Sequence, residues 1–122
     1  MTITGLNHVM ITIPPNSETN ARHFYATILG LTEIPKPNSL SDRGGLWFQL
    51  GPQQLHLGLQ DDPHRATNRA HLAYQVTDLN HWRQIFAQAN IPIKESIPIP
   101  GYHRFELRDP FGNRLEFIQP TP

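Results

Sequence analysis

Two kinds of hydrophobic pattern alternate along the chain, and they do so twice in the same order. Residues 6–13 are apolar and β-branched without helical spacing, and Pro14-Pro15 stops them, which predicts a strand. Asn16 and Ser17 then offer N-caps. Ala21, Phe24, Tyr25, Ile28 and Leu29 follow at i, i+3, i+4, i+7 and i+8, one apolar helix face, and Gly30 can close the helix in a left-handed conformation. A short strand is expected at 31–35. The Pro/Asn/Ser/Gly stretch 36–45 reads as a loop with little to pack, and strands at 46–50 and 54–60 flank the turn dipeptide Gly51-Pro52.

After a polar connector at 61–68 the order returns. Residues 70–76 predict a strand, Thr77 or Asp78 an N-cap, and Leu79, Trp82, Ile85, Phe86 and Ala89 the buried stripe of a second helix. Strands at 91–96, 102–108 and 114–119 complete the set. His71 falls 63 residues after His8, and Glu116 falls 60 after His56, with Leu55 matching Leu115 and Leu57 matching Phe117. The pattern is therefore βαβββ twice, an α+β organisation within one domain: a first module over 4–60, a linker over 61–68 and a second module over 69–119.

Period-2 alternation assigns faces. His8 lies opposite Val9, Ile11 and Ile13; His56 opposite Leu55, Leu57 and Leu59; His71 opposite Leu72, Tyr74 and Val76; Glu116 opposite Leu115 and Phe117. All four oppose the face expected to lie under a helix. In the third and seventh strands the same logic leaves Trp47, Gln49, Arg104 and Glu106 on the His/Glu side.

Composition narrows the partners. Ten lysines and arginines balance ten aspartates and glutamates, so there is no basic footprint for nucleic acid, and a small uncharged or mildly polar ligand is the easier fit. The absence of cysteine excludes disulfides and thiolate metal sites. No signal-peptide-like segment follows Met1 and no apolar run approaches the roughly 18 residues a membrane span needs, which sets the expectation of a cytoplasmic protein with no membrane partner.

Three imidazoles and a carboxylate in equivalent positions of two repeats point to one divalent ion. His8, His56, His71 and Glu116 are the candidate ligands, and the mixed N/O set suits Zn, Ni, Co, Fe(II) or Mn. A substrate with two adjacent oxygens can chelate such an ion, which acts as a Lewis acid toward a developing enediolate or oxyanion. Glu116 and His56 are the candidate bases. Trp47, Gln49, Arg104 and Met10 are the candidate substrate contacts. His23, His64, His81 and His103 lack the repeat register and read as surface imidazoles.

The chain resembles the vicinal oxygen chelate superfamily, the group of glyoxalases, bleomycin resistance proteins and extradiol dioxygenases, as a glyoxalase-like single-domain member. The likeness rests on Leu6-Asn7-His8-Val9, Phe24-Tyr25 with Leu29-Gly30-Leu31, Leu55-His56-Leu57, and the run from Arg108 through Asp109-Pro110-Phe111-Gly112-Asn113 to Phe117. It implies an open, U-shaped mixed β-barrel with helices outside, and a homodimer in which His8 and His56 of one chain join His71 and Glu116 of the other. It also implies that the Asp109–Asn113 turn is structural. Several positions depart from glyoxalase I. His56 stands where a carboxylate or glutamine is typical, and Thr12 and Gln60 stand where bacterial forms carry arginine and asparagine. Lyase or isomerase chemistry is the leading expectation. The alternatives are an Fe(II) extradiol-type dioxygenase using His8, His71 and Glu116, and a non-catalytic module that binds a small molecule or antibiotic.

Overall fold

Prolines and glycines set the element boundaries. Strand β1 (His8–Ile13) ends at Pro14, and α1 (Glu18–Arg22) begins after Ser17, whose hydroxyl turns back to the Pro14 carbonyl and does not cap the helix. The helix then widens into a π-helical segment, His23–Ile28, with Leu29 N donating to Phe24 O at 2.9 Å. This wider turn keeps Ala21, Phe24, Tyr25 and Leu29 buried together. Gly30 takes the positive φ of 77° that closes the segment.

The computed structural model describes all of Met1–Pro122 and divides into two units, Met1–Pro63 and His64–Pro122. In the first, β2 (Thr32–Ile34), β3 (Leu46–Leu50) and β4 (Gln53–Leu59) form an antiparallel meander, and β1 joins β4 in parallel, giving the order β1-β4-β3-β2. In the second, β5 (His71–Gln75), β6 (Lys94–Glu95), β7 (Tyr102–Arg108) and β8 (Arg114–Pro120) repeat that arrangement as β5-β8-β7-β6, with α2 (Leu79–Gln88) after β5. Each unit is thus an open four-stranded mixed sheet in an α+β fold. No helix is long and apolar enough to cross a membrane.

The cores follow the predicted alternation. Leu46, Phe48, Leu55 and Leu57 are buried in the first unit with Ile13, Ala21, Phe24 and Tyr25. In the second, Phe86 of α2 meets Phe117 at 5.2 Å and Phe105 at 6.0 Å edge to face, a geometry that adds to simple area burial. Asp78 caps α2 by accepting from His81 N at 3.2 Å.

Three segments differ from the sequence expectation. The stretch expected as a loop at 36–45 contains a 3₁₀ helix, Asn38–Arg43, pinned when Lys36 Nζ donates to the Gly44 carbonyl. The strand expected at 91–96 shrinks to two residues, because Pro92 has no amide to donate to a ladder. Ala89 is exposed beyond the end of α2, where Asn90 takes a positive φ of 58°.

Candidate metal and substrate site

The two sheets share one register. His8 pairs with Gln54 and Met10 with His56 across β1 and β4; His71 pairs with Arg114 and Ala73 with Glu116 across β5 and β8. Trp47 lies opposite His56, and Glu106 opposite Glu116. His8 and His71 are therefore structurally equivalent, as are His56 and Glu116.

In the first unit His56 is sandwiched between two rings. Trp47 stacks on one face with centroids 3.8 Å apart and planes within 3°, and His8 stacks on the other at 4.2 Å and 14°. These rings explain why His56 is only 4% exposed although it points away from the apolar core. Its Nε2 meets Gln54 Oε1 at 2.9 Å. Burial, and secondarily the charge of His8, lower the His56 pKa below the usual imidazole value, because the cationic form loses hydration and gains a like-charged neighbour.

His8 is exposed, and its Nδ1 lies 2.9 Å from Asn7 Oδ1. In the second unit His71 is also exposed, with Nδ1 2.9 Å from the Arg69 carbonyl. A carbonyl can only accept, so Nδ1 carries the hydrogen and the neutral ring keeps Nε2 as a free lone pair. That is the tautomer a metal ligand needs. Asn7 Oδ1 has the same effect on His8.

Glu116 is 5% exposed. Its cover is Arg104, which donates from Nη1 to Glu116 Oε1 and from Nε and Nη2 to the Ile97 carbonyl at 3.0 and 2.7 Å. Neighbouring Arg114 pairs with Glu106 at 2.5 Å. No group of three or more His, Asp or Glu able to hold a metal occurs in the chain; of the four candidate ligands, His8 and His56 touch. Each unit supplies two candidate donors of types that suit a borderline divalent ion: His8 and His71 keep Nε2 open, whereas His56 Nε2 meets Gln54 and Glu116 Oε1 meets Arg104.

Among the candidate substrate contacts, Trp47 and Met10 border a cavity of about 300 Å³ in the first unit together with Leu57 and Leu59. Met10 is 60% exposed and lies over Gly58, where a Cβ would stand 2.9 Å from its sulfur. Arg104 borders a cavity of about 710 Å³ in the second unit beside His71. Gln49 is engaged locally: its amide donates to the carbonyls of Gly51 and Gln53 at 2.7 and 3.0 Å, closing the β3–β4 turn. Three further residues, Gln54, Arg114 and Arg69, border the candidate groups. All three stand two residues before a candidate ligand, so the period-2 rule that assigned the ligands places them on the same face.

The doubled βαβββ arrangement defines a fold class. The chain belongs to the Glyoxalase/Bleomycin resistance protein/Dioxygenase superfamily, whose model matches residues 5–117. Among solved structures it is similar to a protein from Bacillus anthracis assigned to the glyoxalase family, at 37% identity and a TM-score of 0.92 over 99% of this chain and 98% of that one. The fold alone is shared with a glyoxalase/dioxygenase from Nostoc punctiforme (20% identity, TM-score 0.79, 98% and 92% covered). It is shared likewise with a lactoylglutathione lyase from Agrobacterium tumefaciens (20%, 0.75, 97% and 95%). No curated protein sequence matches the chain.

Proposed function

We propose that the protein is a metal-dependent, glyoxalase-like enzyme that carries out lyase or isomerase chemistry on a small substrate with two vicinal oxygens. The observation that carries this reading is the equivalence of His8 with His71 and of His56 with Glu116 in two sheets of identical register. One divalent ion, Zn, Ni, Co, Fe(II) or Mn, is held by the four. In the homodimer this reading entails, the first-unit pair of one protomer joins the second-unit pair of its partner.

When bound, the ion supplies Lewis-acid stabilisation of a developing enediolate or oxyanion. The remaining work falls to the protein. Glu116 would move the proton through Oε2, the oxygen that Arg104 leaves open, when that oxygen is not holding the ion. His56 is the second base; burial, and secondarily the charge of His8, favour its neutral ring, the form that can take a proton. Trp47, stacked on His56, holds that ring in place and with Met10 offers an apolar wall to substrate.

A specific contact favours one alternative. His56 is already engaged by Gln54 and by two stacked rings, which leaves His8, His71 and Glu116 as a two-histidine, one-carboxylate set of the kind used by non-haem Fe(II) oxygenases. Metal analysis of protein never exposed to chelator, with turnover assays, separates the readings. Bound Zn, Ni, Co or Mn with isomerase or lyase turnover supports the first. Iron with oxygen consumption on a catechol supports the second. Ligand affinity without turnover would make the protein a binding module and reject both.

A further inference from the structure

Because the two units are built on one register, each position of the first is a control for its equivalent in the second. Leu6, Ile34, Gly45 and Gln54 of the first unit are matched in the second by Arg69, Lys94, Arg104 and Arg114. Ile34 and Gln54 lie in paired strands and Leu6 and Gly45 just outside them, so the first unit forms its sheet with no cation at any of these places. Yet all four cations of the second unit line one cavity of about 710 Å³, within the size range of small-molecule sites, and His71 lies on its wall.

Two of these cations are held in orientation. Arg104 is fixed by the Ile97 carbonyl and Glu116, and Arg114 by Glu106. Arg69 is exposed and enters none of the ion pairs, while Lys94 only approaches Glu106 at 3.9 Å. The lining has two carboxylates, Glu95 and Glu106, and from outside the cavity Arg83 pairs with Glu95 and Glu116 with Arg104. Positive charge therefore exceeds negative around the cavity of a chain whose overall balance is neutral. Glu106 and Glu116 answer Arg114 and Arg104 but leave Arg69 without a carboxylate, and a forked guanidinium suits the oxygens of a carboxylate or phosphate.

We infer that the second unit binds the anionic group, a carboxylate or a phosphate, of the protein's small-molecule ligand. The inference rests on the proposed function for the identity of that ligand as substrate; the anion site itself needs only the four cations. It replaces the uncharged ligand that overall composition suggests.

The test is titration of the purified protein at low ionic strength with inorganic phosphate and, separately, with acetate, followed by NMR shifts of backbone amides and arginine Nε groups. Saturable shifts at Arg69, His71, Arg104 and Arg114 are expected, and the tighter probe identifies the anion class. The pair Arg69→Gln and Lys94→Gln should weaken binding roughly tenfold or more, as loss of charge-assisted hydrogen bonds does. Leu6→Gln in the first unit should leave it unchanged. Arg69→Gln alone, at an exposed position, gives the same test at smaller amplitude if the pair perturbs the fold. Zinc stoichiometry, measured in separate samples, should be unaffected by the pair. No shift with either anion, shifts confined to other surfaces, or wild-type binding by the variants overturns the inference, whatever zinc does. Anion binding in a protein that takes up no metal would keep this site and remove the metal-dependent reading.

Discussion

At the scale of single residues, cover rather than position decides how the candidate groups behave. His56 and Glu116 occupy equivalent places, but one is buried by flat rings and the other by a guanidinium. The His56 pKa is lowered, so the unfolded chain takes up a proton below about pH 6.5 while the folded one does not until lower pH. The unfolded state then binds more protons, and stability falls as pH drops through that window. Urea unfolding of metal-free protein at pH 7.5 and 5.5 should show a loss of midpoint that is smaller in His56→Gln; equal losses would reject the assignment. Arg104→Gln leaves the Glu116 carboxylate buried without its partner, a cost of about 3 kcal/mol. Added divalent metal should recover much of that loss, because a cation replaces the guanidinium. A variant as stable as wild type without metal would contradict this.

At the scale of elements, the strands and the long helix were legible because apolar alternation and the helical stripe carry their own period. The residues that fold back on the site were less so. Nothing periodic marks Arg104 as a partner for Glu116, or Trp47 as a ring stacked on His56, since both contacts cross between strands whose register only the sheet fixes. Segments dominated by Pro and Gly were read by composition, and there the 3₁₀ helix over Asn38–Arg43 and the shortened β6 escaped. The turn between β7 and β8 is the opposite case. Asp109 Oδ1 accepts from Phe111 N at 2.9 Å and Asn113 N at 2.8 Å, and Oδ2 accepts from Asn113 Nδ2 at 2.9 Å. Gly112, at φ 100°, leaves no room for a Cβ, which would stand 2.8 Å from Ala66 Cα. Asp109 is buried, so Asp109→Ala should cost about 3 kcal/mol by stranding these donors. The check is a lower urea midpoint at unchanged m-value.

At the scale of the whole molecule, duplication is the organising fact. The offsets between His8 and His71 and between His56 and Glu116 were visible in the sequence, and the strand registers of the two units repeat them. The cluster of four cations was not visible, because a neutral total conceals side chains that only folding of the second unit collects around one cavity. Two donors per unit also carry an expectation about assembly: sedimentation at working concentration should show a dimer, and a monomer that still binds metal through all four residues would reject the shared-site arrangement. The most direct test of the central claim is metal stoichiometry. Wild-type protein should bind one divalent ion per set of four ligands, and His71→Ala, at an exposed position that leaves the fold intact, should lose it. Protein that holds no divalent metal and takes up none on titration, or a His71→Ala variant with unchanged stoichiometry, would contradict the account.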